Sequence, residues 1–227
     1  MTDNETLVTD LAALAEEKIL RVSVIDIGKP GKNLGWAIDE PNEDGTDIDG
    51  CINVLATALT EGPLALGFEA PQFVPLRHDP MKLTAGRQGE FGPGLATRTF
   101  SAAAGATVLV TSMVVVPYVL GRLRERTPYA TVTFDWRRPI DRQGQLLVFE
   151  AFVTDQRKNT VTRHVEDARL AIADFRRGMA DPASFESSVT SSECLNVLGA
   201  ALLRTGWSSD LALLSTPCLV VRSKATD

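Results

Sequence analysis

Short apolar runs that stop at a single acid punctuate the chain. In "RVSVIDIGKPGKNLGWAIDE", Val22, Val24 and Ile25 lead to Asp26, and a glycine turn is followed by Leu34, Trp36, Ala37 and Ile38. This predicts two strands, at 21–28 and 33–39, joined by the hairpin-like connection "GKPGK". "PNEDGTDIDG" reads as a polar turn with room for a short edge strand. "GPLALGFEAP" predicts a buried strand that ends at Glu69, and "QLLVFEAFV", 145–153, a strand that carries Glu150. "YATVTFDWRRPIDRQG" is ambiguous between strand and loop. Helical spacing marks 5–19 (Leu7, Leu11, Leu14, Ile19), 50–61 (Ile52, Leu55, Ala56, Leu59) and "TRHVEDARLAIADFRRGM". A helix at about 191–205 and a last strand, "CLVVRS", complete the pattern. The expectation is an α/β fold with a mixed sheet of about five strands and helices on both faces. It comprises an N-terminal helix (1–19), a main domain (20–180) and a C-terminal helix-strand extension (181–227) packed on it.

Two segments depart from this alternation. Residues 76–100 form a long irregular stretch, of a kind that is usually functional or mobile. It leaves the strand that ends at Glu69, so it is expected to border that point, with at least one of Arg87 and Arg98 facing the acids. The next segment, Ser101–Gly121, is uncharged and about long enough to cross a bilayer. Its Ala, Gly, Ser and Thr content suits close packing on a sheet. It is therefore expected to continue to about Arg126 as a central helix covered on all sides, with no membrane involved.

Composition narrows the chemistry. At 227 residues the chain can bury a substantial core. Its net charge of -6 argues against a generally basic coat for nucleic acid, although a local basic groove is compatible with it. Cys51, Cys194 and Cys218 are scattered and form no CxxC pair, which disfavours a zinc site or disulfide framework and points to buried thiols in a reducing cytoplasm. With only His78 and His164, a histidine-rich metal cage is excluded. The acidic N-terminus lacks the basic start of a signal peptide.

The remaining question is where the acids go. Asp26 and Glu69 both stand at C-terminal strand ends, where open α/β sheets gather their functional groups. His164 and Asp167 are spaced i and i+3, on one helix face. Converging, these residues would make a site for a divalent cation, which removes the repulsion among packed carboxylates. Each also has an ordinary structural explanation. Asp26 suits a turn before Gly28, Glu69 a loop cap, Glu150 the outward position of a half-buried strand, and His164 with Asp167 a first-turn cap.

In its order of elements the sequence resembles the RNase H-like superfamily. "VSVIDIGKPGKNLGWAI" is similar to the opening hairpin of RuvC-type resolvases, and "HVEDARLAIADF" to their closing helix. "GFEAP" and "LLVFEAF" are closer to a group of uncharacterised predicted RNase H-like nucleases. The resemblance spans about residues 20–180. The "KPGKN" loop and a weak third strand depart from it. It implies a metal core of Asp26, Glu69 and Asp167, with His164 as fourth ligand or orienting base and Glu150 as a second-rank catalytic candidate. The implied reaction is nuclease chemistry with Mg²⁺ or Mn²⁺, two ions about 4 Å apart.

Such a reaction needs cations for phosphate. Candidates are Arg77, Arg87 and Arg98 in the long stretch, and Arg122, Arg124, Arg126, Arg137 and Arg138 near Trp136, which could stack a base. DNA or RNA is then the expected partner, with a homodimer left open. Two other readings fit the same residues. One is a nucleotide-binding protein of the actin and sugar-kinase type, which normally needs a second domain. The other is a non-catalytic interaction module that keeps the fold.

Overall fold

The computed structural model describes residues 20–92, 98–154 and 163–223. The helix expected at 5–19 lies outside the described residues. Among the described residues, nine strands and four α-helices follow one another as β1 (Arg21–Asp26), β2 (Gly35–Ile38), β3 (Asp44–Gly45), α1 (Ile48–Glu61), β4 (Leu64–Glu69), β5 (Phe73–Pro75), α2 (Ala103–Arg126), β6 (Thr131–Thr133), β7 (Gln145–Val153), α3 (Arg163–Met179), β8 (Cys194–Asn196), α4 (Val197–Arg204) and β9 (Val220–Ser223).

The expected hairpin forms: β1 and β2 are antiparallel, and β2 continues to the short edge strand β3. On its other side β1 runs parallel to β4, and β4 parallel to β7. The order is β3-β2-β1-β4-β7-β6. The ambiguous stretch after Tyr129 supplies β6. The C-terminal strand β9 joins the same sheet, so the sheet has seven strands rather than about five. β6 pairs with Gln145–Leu147 and β9 with Glu150–Val153, so the two share the edge of β7 that faces away from β4. The second, two-stranded sheet of β5 and β8 ties the chain after Glu69 to the C-terminal unit.

Strand alternation sorts the core into two layers. Ile25, Leu66, Phe68 and Val148 face α1, α2 and α4. Val22, Val24, Ala65, Leu147, Phe149 and Ala151 face α3. Ala168 and Ala171 on α3 are fully buried, and their small side chains let the helix lie close to the sheet. Phe175 stacks on Phe149 with ring centroids 4.5 Å apart. Arg176 donates to Asp39 at 2.7 Å, and Arg169 pairs with Asp44, so α3 is held across the hairpin from its polar side as well.

Helix α2 is not covered on all sides, as its composition suggested. Its inward stripe buries Val115, Val116, Val119, Leu120 and Leu123. Val110, Met113, Val114 and Tyr118 point outward, with Val114 72% exposed. The sheet, α1 and α4 cover one side of the helix, and among the described residues no further layer covers the other.

Candidate metal centre

Three elements bring the acids together. Asp26 and Glu69 are paired neighbours across the parallel strands β1 and β4. Both continue the alternation that puts Val22, Val24 and Ala65 on the α3 side. Asp167 descends from the first turns of α3 onto the same face. One oxygen from each of Asp26, Glu69 and Asp167 lies within 4.8 Å of the others. Strand register and helix packing thus place together carboxylates that are far apart in sequence.

His164, one turn before Asp167, joins Asp26 directly, Nδ1 meeting Oδ2. This contact depends on Gly35, the register partner of Asp26 on β2. A Cβ at Gly35 would lie 2.6 Å from the His164 carbonyl carbon and from its Cβ. Only a glycine lets the start of α3 approach the hairpin this closely. One turn before Asp167 on the same helix, Arg163 Nε donates to Asp167 Oδ2 at 3.3 Å.

Electrostatics mark the cluster as unfinished. Burial, followed by the charges of Asp26 and Asp167, pushes the Glu69 carboxyl well above its ordinary range. Burial also raises Asp26, against the opposing hydrogen bond and charge of His164. That same hydrogen bond to Asp26 raises His164. Glu69 Oε2 is buried and has no hydrogen-bond partner. Desolvating an acceptor without a partner is costly. The donors are mostly carboxylate oxygens, with no thiolate among them, which suits a hard divalent cation. The residues therefore fit such an ion, though the donor set does not choose among hard cations.

The acids open onto a cavity of about 380 Å³ at the C-terminal ends of the strands. Arg98, Arg163 and His164 share its wall with Pro71, Phe152 and the first turns of α2. No side chain caps the N-terminus of α2. The positive end of its dipole therefore borders the negative cluster. Of Arg87 and Arg98, at least one of which is expected to face the acids, Arg98 does so, and its charge works against the upward shift of Glu69.

Other candidates sit elsewhere. Glu150 is the register partner of Phe68, one residue out of step with Glu69. Its side chain therefore projects to the opposite face of the sheet, where Arg87 binds it in a two-pronged pair at 2.6 and 2.7 Å. Glu150 is no member of the metal cluster. Arg87 is fully buried in that pair, which removes it as a phosphate contact. Arg137 lies over the Trp136 ring and pairs with Glu186 at 3.0 Å. Trp136 donates to the Phe185 carbonyl at 2.8 Å and packs on the core. Arg138 pairs with Asp135 at 2.9 Å. Neither arginine lines the acidic cavity.

Gly35 is the position whose purpose the sequence pattern does not show. Gly35 stood in the quoted hairpin motif, but only the approach of α3 reveals its purpose. No family model matches the chain, and neither a curated protein nor a solved structure was found to match it.

Proposed function

We propose that this chain is a metal-dependent phosphodiester hydrolase of the RNase H-like kind, acting on nucleic acid. One observation carries the reading: two adjacent parallel strands and a helix on the same sheet face bring three carboxylates within bridging distance. The strand order β3-β2-β1-β4-β7, antiparallel across the hairpin and parallel beyond it, is compatible with that fold.

In this reading Asp26, Glu69 and Asp167 hold Mg²⁺ or Mn²⁺. When bound, the ions would activate water and neutralise charge on the leaving oxygen. His164 fixes the Asp26 carboxylate through Nδ1 and limits its rotation. Arg163 does the same for Asp167. Hydrolysis makes one P–O bond to the water oxygen and breaks the P–O bond to the leaving oxygen. One water proton ends on the leaving oxygen and the other passes to solvent.

The test is cleavage of single-stranded, duplex and branched DNA and RNA with Mn²⁺, alongside calorimetry of Mn²⁺ binding. Wild type should bind Mn²⁺ and cleave at least one substrate, and Asp26→Asn should lose both properties. A wild type that binds no Mn²⁺ and cleaves nothing overturns the proposal. The interaction-module reading would then be favoured, because the outward stripe of Val110, Met113, Val114 and Tyr118 gives such a module an apolar surface.

A further inference from the structure

The buried ion cluster on the opposite face of the sheet has no part in the metal centre, yet it is built with unusual completeness. Arg87, Glu90 and Glu150 are all fully buried. Arg87 spans both acids: its two terminal nitrogens hold Glu150, and its Nε donates to Glu90 Oε1 at 2.8 Å. Its guanidinium also lies 4.5 Å from the centre of the Phe73 ring. The Gln72 amide donates to Glu150 at 2.8 Å, and the Arg87 amide to Glu90 at 2.7 Å. An apolar cluster of the same size would hold a loop without the cost of burying three charges. A buried ion cluster of this kind is better suited to fixing a geometry than to adding stability.

What they fix can be followed outward. Glu90 Oε1 also accepts the amide of Phe100, at 3.2 Å. The preceding carbonyl, of Thr99, accepts from the Ala102 amide at 3.0 Å. It also lies against Gly105, where a Cβ would be 2.0 Å away. Two residues before Phe100, Arg98 reaches back to the sheet, and its Nη1 donates to the Val153 carbonyl at 2.5 Å. Val153 ends β7, the strand that carries Glu150, and Arg98 lines the cavity beside the acids. Both ends of this path therefore rest on one rigid strand.

Building on the phosphodiesterase reading, we infer that Arg98 binds the scissile phosphodiester, and that the Glu90–Arg87–Glu150 cluster is the strut that positions it. Arg98 carries permanent charge and presents planar donors to phosphate oxygens. It neutralises charge on a non-bridging oxygen and neither gives nor takes a proton. Arg87, Glu90 and Glu150 act only through it and are positioning residues. The ligand class is a phosphodiester.

The experiment uses the full chain with bis(p-nitrophenyl) phosphate and Mn²⁺, so that no choice of nucleic acid enters. Arg98→Ala should lower kcat/KM about a hundredfold, on the scale of losing one preorganised charge-stabilising donor. Mn²⁺ binding should be retained, because Arg98 is not among the carboxylates that would hold the ion. Added guanidinium at millimolar concentration should restore part of the activity of Arg98→Ala. Glu90→Gln should lower kcat about tenfold, in the range typical of outer-shell partners. It should add little to Arg98→Ala in the double variant. Gly105→Ala disturbs the same loop from its other side and serves if Glu90→Gln fails to fold. Arg98→Ala with wild-type turnover and intact Mn²⁺ binding overturns this inference and leaves the phosphodiesterase reading standing. Loss on Arg98→Ala, with Glu90→Gln and Gly105→Ala both folded and fully active, overturns the strut. A wild type without Mn²⁺ binding or turnover overturns both readings.

Discussion

Gly35 carries an unusual structural burden for a residue with no side chain. It pairs with Asp26 across the hairpin, and the backbone of His164 rests on it. Gly35→Ala forces α3 away from β2 or strains the helix start. The expected loss of stability is about 1–3 kcal/mol, the usual cost of overpacking, measured by urea unfolding. A second effect belongs to the site. The contact between His164 and Asp26 should break, lowering Mn²⁺ affinity in calorimetry. A variant as stable as wild type and with unchanged affinity would show that α3 can yield there without consequence.

Glu69 gives a prediction with a definite sign. Its folded pKa is raised, chiefly by burial and then by Asp26 and Asp167. The folded state therefore binds that proton more tightly than the unfolded state, whose value is about 4.3. The resulting stability is fully present below that value and is lost as pH rises through the folded pKa. Metal-free protein should thus lose thermal stability on going from mildly acidic to neutral pH, and Glu69→Gln should flatten that slope and raise the neutral-pH Tm. With Mn²⁺ present the dependence should reverse, because the ligands bind metal only when deprotonated. Thermal scans across pH, with and without Mn²⁺, check both signs.

At the scale of elements, parity decides what the sequence makes legible. That Asp26 and Glu69 end strands is written in the apolar runs before them, and their shared face follows once β1 and β4 are parallel neighbours. The i, i+3 spacing likewise marks His164 and Asp167 as one patch. Glu150 was not legible in the same way. Whether it or Ala151 sits beside Glu69 depends on the register of β4 against β7, and a slip of one residue exchanges the faces. Arg87 was hidden for a related reason, since its burial is intelligible only with Glu150 as a partner 63 positions away. These two residues make a joint prediction. Glu150→Ala strands a fully buried guanidinium and should cost about 3–5 kcal/mol, the usual result of breaking a buried ion pair from one side. Arg87→Met should unfold as readily. Replacing Arg87, Glu90 and Glu150 together by apolar residues should recover much of that stability. Chemical denaturation of the three variants separates a geometric role from a purely stabilising one.

For the whole molecule, the open matter is the outer face of α2. Composition alone suggested a helix enclosed by the domain, because an all-apolar surface normally belongs inside. The sheet and its partner helices enclose only half of it. Among the described residues α2 is the one helix long and apolar enough to cross a bilayer, and its burial is lopsided in a way that can be measured. The inward residues Val119 and Leu120 are fully buried. Val119→Ala should therefore cost about 1–3 kcal/mol, the lower part of the range for large-to-small changes in a core. Val110→Ser, Met113→Gln and Val114→Ser sit on the outward stripe and should each change stability by no more than about 0.5 kcal/mol. The triple variant should unfold cooperatively at nearly the wild-type urea midpoint. A large loss from the outward substitutions would mean that this face is covered in solution, and the midpoint would then depend on protein concentration if a second copy supplies the cover.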